Sequence, residues 1–377
     1  MSWADRNLGE LCSLITDGKH GDCKNEEGSG FFFISCKDVK DGRLNYDNAR
    51  QIVRTDFAET HRRTDLKPGD VLLTNSGTIG RLAIAPDDDK TERTTFQKSV
   101  AVLKPIREQI TPHFLYYKLT AENTRLINSA GGAAQKNLLL GELRRFSIRI
   151  PPLAKQSSIT SVLSAYDDLI ENNRRRIQLL EQAARLLYKE WFVHLRFPGH
   201  EHTQIIDGVP EGWEKKRLGA IAPLKYGKAL KNDDRIPGPF PVYGSSGIVG
   251  THAKALVPGP TVIVGRKGNV GSVYWSPDDC HPIDTVYYID SEHCSLFLYY
   301  ALQQMTFIST DVAVPGLNRD FAHSRLLLVA DQKILRLFED TVSPLHQQME
   351  LLKRQNASLA KARDLLLPKL MNGEVAV

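Results

Sequence analysis

The sequence predicts an α+β fold: two globular strand-rich domains separated by a pair of long antiparallel coiled-coil helices, in a pseudo-two-fold internal repeat. Three observations predict it. A collinear series of motifs occurs twice. Short β-rich runs alternate with Gly, Pro, Asp and Asn clusters in two stretches. Two further stretches carry apolar residues stepping by three or four for the length of a long helix.

The first domain spans 1–152. Trp3, Leu8 and Gly9 open it, and they recur as Trp213, Leu218 and Gly219 at an offset of 210. Strands are expected at 71–74, 81–85 and 99–103, and a short helix at 112–126. Pro68-Gly69, the run Val71-Leu72-Leu73 and Ser76-Gly77-Thr78-Ile79-Gly80 return as Pro258-Gly259, Val262-Ile263-Val264 and Lys267-Gly268-Asn269-Val270-Gly271. Phe114-Leu115-Tyr116-Tyr117 returns as Phe297-Leu298-Tyr299-Tyr300, Asn137 matches Asn318, and Gln156 matches Gln332.

The central helical spacer spans 153–207. Its stripe is Ile159, Val162, Tyr166, Leu169, Asn173, Ile177, Leu180, Ala184, Leu187 and Trp191. The second domain, 208–331, places strands at 261–264, 272–275 and 286–289 and a helix at 294–305. The C-terminal helical spacer, 332–377, carries Leu335, Phe338, Val342, Leu345, Met349, Leu352, Asn356, Leu359, Arg363, Leu366 and Leu370. Such stripes read as the two sides of one seam, on which Asn173 and Asn356 would fix register. Asp167 and Ser343 are expected to cap the longer helices, with Pro344 in a first turn.

Composition narrows the function. The longest apolar runs, such as Phe31–Ile34 and Leu326–Ala330, are far short of the ~20 residues that cross a bilayer. No apolar signal segment follows the N-terminus. The five cysteines form no C-x-x-C pair, which suits reduced thiols in the cytoplasm rather than a disulfide framework. His20, Cys23 and Cys36 supply at most three zinc ligands where four are needed, so no metal is expected. The net charge of +5 permits nucleic-acid binding, but no block is a basic tail. A P-loop, a G-x-S-x-G elbow and the Asn/Asp-Pro-Pro-aromatic motif of adenine methyltransferases are all missing. The acidic turns Asp87-Asp88-Asp89 and Asp278-Asp279 and the stretch His200-Glu201-His202 read as solvated loops. No catalytic residue is expected.

A duplicated chain with helical spacers and no catalytic centre resembles the specificity subunit of a type I restriction–modification system. The residues that carry the resemblance are Leu66-Lys67-Pro68-Gly69-Asp70-Val71-Leu72, Ser76–Gly80, Ile150-Pro151-Pro152-Leu153 before Gln156, Asp167–Asn173, Val209-Pro210-Glu211-Gly212-Trp213 and Leu370–Glu374. Val329-Ala330-Asp331-Gln332 departs from it, where the family often has a second Pro-containing turn. The resemblance implies two target-recognition domains, each reading one half of a bipartite asymmetric site in double-stranded DNA. It also implies that the helices space the domains and dock two methylation subunits, with restriction subunits beside them. S-adenosylmethionine, ATP and Mg would then belong to those partners, and none to this chain. Helices at 168–192 and 344–370, at about 1.5 Å per residue, are near the length of one DNA turn, about 34–36 Å. Alternatives are the module of an atypical or fused restriction–modification system and a DNA-independent two-headed scaffold.

Base edges are read by Arg, Lys, Asn and Gln with Ser and Thr as adaptable partners, and phosphates by basic groups and turn N–H groups. The DNA-binding candidates of the first domain are Lys19, His20, Lys24, Asn75, Ser76, Thr78, Gln135, Lys136 and Asn137. Those of the second are Lys225, Lys228, Lys231, Arg266, Lys267, Asn269, Asn318 and Arg319.

Overall fold

The computed structural model describes residues 3–131, 136–307, 316–375 and 377. It divides into two compact units, one made of the chain up to Asn172 together with Gln355–Val377, the other of Asn173–Arg354.

In the first unit an antiparallel four-stranded sheet has the order Cys12–Asp17, Val100–Pro105, Val71–Thr74, Leu82–Ile84. The two middle strands carry uninterrupted apolar runs, Val71–Leu73 and Val100–Leu103, because the sheet is covered on both faces. Val71, Leu73, Ala101 and Leu103 face one core with Leu8, Ile15 and Phe114. Leu72 and Val102 face a second core with Ile34 and Phe96. Such two-sided burial removes the polar–apolar alternation of a half-exposed strand. The helix Pro112–Ala121 closes the first face, started by Thr111, whose hydroxyl accepts from Phe114 N at 3.2 Å. Ala4–Asn7 pairs with Ser147–Ile150 and so delivers the chain to the helix that follows.

The second unit repeats the plan. Its sheet has the order Lys225–Tyr226, Val286–Ile289, Thr261–Gly265, Val273–Ser276, again all antiparallel. Glu214–Arg217 pairs with Leu326–Val329 as the first strand of the other unit pairs with Ser147–Ile150. Leu296–Gln304 is its covering helix, capped by Ser295.

The long helices are Leu153–Tyr188 and Gln332–Asn372. Both begin well before Asp167 and Ser343, so neither residue is a cap, and Pro344 lies inside its helix rather than in a first turn. Proline there forfeits one backbone hydrogen bond, while Val342, His346 and Met349 on the same helix are buried. Asp331 takes over the start of the C-terminal helix, its Oδ1 accepting from Lys333 N at 2.8 Å and Ile334 N at 3.1 Å.

Within the first unit the helices run antiparallel. Asn356 donates to Ile170 O at 3.2 Å, Arg363 pairs with Asp167, and Ile159 and Leu163 share a core with Leu367, Leu370 and Met371. In the second unit Tyr188 and Trp191 meet Phe338 at 6.2 and 5.8 Å between ring centroids.

The seam differs from the expected stripe at Leu169, which is 52% exposed, while Ile170 beside it is buried. Val162 likewise yields to Leu163. Adjacent apolar pairs leave the phase open in sequence, and packing selects the second member of each. Of the other seam residues, Asn173, Met349 and Leu352 are buried, and Ile177, Leu180, Leu187, Leu345, Asn356, Leu359 and Leu366 are half-buried.

The register of the repeat also differs. Leu138 N donates to Asn75 O at 2.9 Å as Leu317 N does to Arg266 O at 2.8 Å. Leu138 therefore answers to Leu317, and Asn137 to Gly316 rather than Asn318. The same offset carries Leu153 to Gln332, the first residues of the two helices, and Asp167 to His346 rather than Ser343. Residue identity alone therefore misplaces these pairs by two or three positions.

Candidate nucleic-acid interface

In both units most of the candidate residues gather at one end of the four-stranded sheet. Three segments form that end. The first is a Gly-Lys step at the end of an edge strand. Gly18 N donates to Val100 O and Lys19 N to Phe96 O at 2.8 Å; Gly227 N donates to Val286 O and Lys228 N to Pro282 O at 3.0 Å. Glycine is required because a Cβ at Gly18 would lie 1.9 Å from Phe96 O, and one at Gly227 2.1 Å from Ile283 O. The second segment is the hairpin turn after the inner strand, closed by Gly80 N to Thr74 O and by Gly271 N to Gly265 O, both at 2.9 Å. The third runs alongside that turn through the bridges Ser76 to Asn137 and Lys267 to Gly316.

The candidates differ in how free they are. In the first unit Ser76, Thr78, Lys136 and Asn137 share this sheet end, and all but half-buried Ser76 are exposed. Asn75 is buried, its backbone bonded to Ser99 and Leu138 and its Oδ1 unpartnered among the described residues. Lys19 donates to Glu59 at 3.1 Å, a hydrogen bond that raises its pKa. His20 Nε2 lies 3.1 Å from Asp17 Oδ2, and Asp17 also receives Arg63. Lys24 sits farther along the chain, its backbone N–H bonded to Asp56. Gln135 lies outside the described residues. Lys98, absent from the sequence-based set, belongs to this end as well: it is exposed and its N–H donates to Lys19 O at 3.1 Å.

In the second unit the centre is Tyr226, about half exposed. The guanidinium carbons of Arg266 and Arg319 lie 4.9 and 5.0 Å from its ring centroid. Each contact is an aromatic–cation attraction of about 0.5–1 kcal/mol at exposed sites. Tyr287 meets Tyr226 edge-on at 5.1 Å and is anchored by its hydroxyl to Leu317 O at 2.9 Å. Arg319 Nε is buried without a hydrogen-bond partner among the described residues. Lys228, Lys267 and Asn269 are exposed around this stack. Lys231 is exposed at the start of the short turn Asn232–Asp234.

Two candidates are committed elsewhere. Asn318 caps the helix Arg319–Ser324, its Oδ1 accepting from Phe321 N at 3.0 Å, which leaves only its amide N–H groups to donate. Lys225 pairs with Asp290. Partial burial would raise the Asp290 pKa, but hydrogen bonds from Lys225 and His293 outweigh it and hold the group at about 2.

The arrangement presents positive, planar and amide donors at two repeated sheet ends. Guanidinium forks match phosphate oxygens and guanine edges in two-point contacts. Residues 1–182 and 210–321 match the family model described as the type I restriction modification DNA specificity domain. The chain is 26% identical to the MjaIX specificity subunit of a type I restriction enzyme from Methanocaldococcus jannaschii, over 82% of this chain and 78% of that protein. It is 23% identical to the HindI specificity subunit from Haemophilus influenzae, over 82% and 87% respectively. The crystal structure of a type I restriction–modification S subunit from M. genitalium superposes with a TM-score of 0.59 at 18% identity. That match covers 98% of this chain and 96% of the other, and it shows a shared fold.

Proposed function

The chain belongs to the type I restriction–modification DNA specificity family, and from that premise we propose that each of its two units reads one half of a bipartite asymmetric DNA site. It is a specificity subunit with two copies of the family domain. On this reading it performs no chemistry. It places two methylation subunits and the restriction subunits on DNA by docking them along its helices, and those partners carry S-adenosylmethionine, ATP and Mg.

The observation that carries the reading is the repeated sheet end, above all the Arg266–Tyr226–Arg319 stack. The ring holds both guanidiniums before any ligand arrives, which lowers the ordering cost of recognition. Phosphate contacts by Lys228, Lys267 and Lys136 would position the units without sequence preference, and the stacked arginines would supply base discrimination.

The test is methylation mapping in cells that carry the chain with its methylation partner. Arg266→Ala should relax the second half-site and weaken specific binding about 10- to 100-fold, equivalent to about 1–3 kcal/mol. The first half-site should stay unchanged. Loss of discrimination at both half-sites, or at neither, would overturn the assignment.

A further inference from the structure

The second unit holds a cavity of about 330 Å³ lined by Tyr243, Tyr274, Trp275 and Tyr299, with Glu181, Glu350 and the cation Lys353 also on its wall. The rings pack against one another and against His346. Trp275 and Tyr299 stand 5.9 Å apart, and each lies 5.8 Å from the ring of His346. Tyr274 donates its hydroxyl to Ser245 O at 3.1 Å. His346 meets the Tyr300 hydroxyl at 2.7 Å, and burial keeps its pKa near 4, so it adds no positive charge to the wall at neutral pH. The carboxylates already attract cations: Glu350 pairs with Lys353 at 2.6 Å and Glu181 with Arg185 at 2.8 Å.

The first unit shows what stands beside its own copy of this tyrosine pair. There Tyr117 donates to Asp167 at 2.5 Å, and Asp167 also accepts from the guanidinium of Arg363. In the register that carries Asp167 to His346, Arg363 corresponds to Ala184. Ala184 is fully buried, one turn beyond Glu181 on the same helix. Where the first unit supplies its own arginine, the second has Ala184 in its apolar core, and the cavity opens beside His346 and Tyr299.

Aromatic faces carry negative potential, and cages of several rings select guanidinium or alkylammonium groups. We propose that this cavity receives such a cation from outside the chain, either an arginine side chain presented by a partner protein or a free organic cation. Glu181 and Glu350 exchange their internal partners for it as it enters.

The test titrates the full-length chain with N-acetylarginine amide and with choline, following Trp fluorescence and heat. The neutral controls are N-acetylcitrulline amide and 3,3-dimethylbutanol, which match the shapes without the charge. The cations should bind at least tenfold tighter than their controls. Tighter binding of the arginine compound assigns the site to a partner's side chain, and tighter binding of choline to a free cation. The double variant Glu181→Gln with Glu350→Gln keeps every ring and should weaken cation binding at least tenfold; Trp275→Leu should do the same. Equal binding of charged and neutral probes would overturn the proposal. So would no binding at all, or full binding by the double variant.

Discussion

At the scale of single residues, close approach and burial matter more than charge counts. Gly227 admits no side chain because Ile283 O would sit 2.1 Å from its Cβ, and that oxygen belongs to backbone that cannot rotate away. Gly227→Ala should destabilise the second unit by about 3 kcal/mol, the upper end for overpacking, measured by urea denaturation. An unchanged midpoint would refute the constraint. His346 gives a pH signature. Its folded pKa of about 4 lies below the ordinary 6.5, so the unfolded chain takes up the proton first as pH falls. The stability held by neutral His346 is complete above about pH 6.5 and is lost as pH falls towards about 4, some 3 kcal/mol in all. His346→Gln should flatten the decline of thermal midpoint between pH 7 and 4.5; equal slopes would show that His346 does not titrate this way. The Gly-Lys steps were legible as Gly18-Lys19 and Gly227-Lys228 near the offset of the opening motif, yet a dipeptide is too short to stand out. Asn318 carried no mark in sequence distinguishing a helix cap from a DNA contact, because both uses draw on the same amide.

At the scale of elements, the strands and the repeat were legible because two-sided burial writes uninterrupted apolar runs between turn glycines. The helices were legible in kind but not in phase. The Val162-Leu163 and Leu169-Ile170 pairs satisfy either face of a 3.6-residue period, and only the partner helix chooses between them. Their starts were misread because Asp167 and Pro344 imitate start signals. Asp167 instead accepts from Tyr117 and Arg363, so its place is set by tertiary contacts that no local pattern records. A double-mutant cycle on Asp167→Ala and Arg363→Ala should give a coupling of about 1 kcal/mol. The partial exposure of both groups, 32% and 27%, limits it. Strict additivity would show that the pair is incidental.

At the scale of the whole molecule, the duplication explains how a chain with little net charge can serve as a reader. Some of its basic groups recur at the two sheet ends, Lys19, Lys98 and Lys136 in one unit and Lys228, Arg266, Lys267 and Arg319 in the other. Nothing in composition reveals that placement; it follows from which strand ends the topology brings together. One further consequence lies in the make-up of the first unit, whose core takes Leu367, Leu370 and Met371 from the far end of the C-terminal helix. Lys118, almost fully buried, also donates to Met371 O at 3.2 Å. During synthesis, therefore, the first unit to begin is the last to be completed. The ribosome must add the whole of Asn173–Arg354 before those leucines emerge, roughly 10–40 s at about 5–20 residues per second. Through that interval the sheet of the first unit has an open apolar flank, while the second unit is contiguous and free to close. A chain ending at Arg354 should retain the second unit's protection against hydrogen exchange and lose that of residues 8–15 and 110–119. A nascent chain stalled at that point should be a chaperone client through its oldest residues rather than its newest.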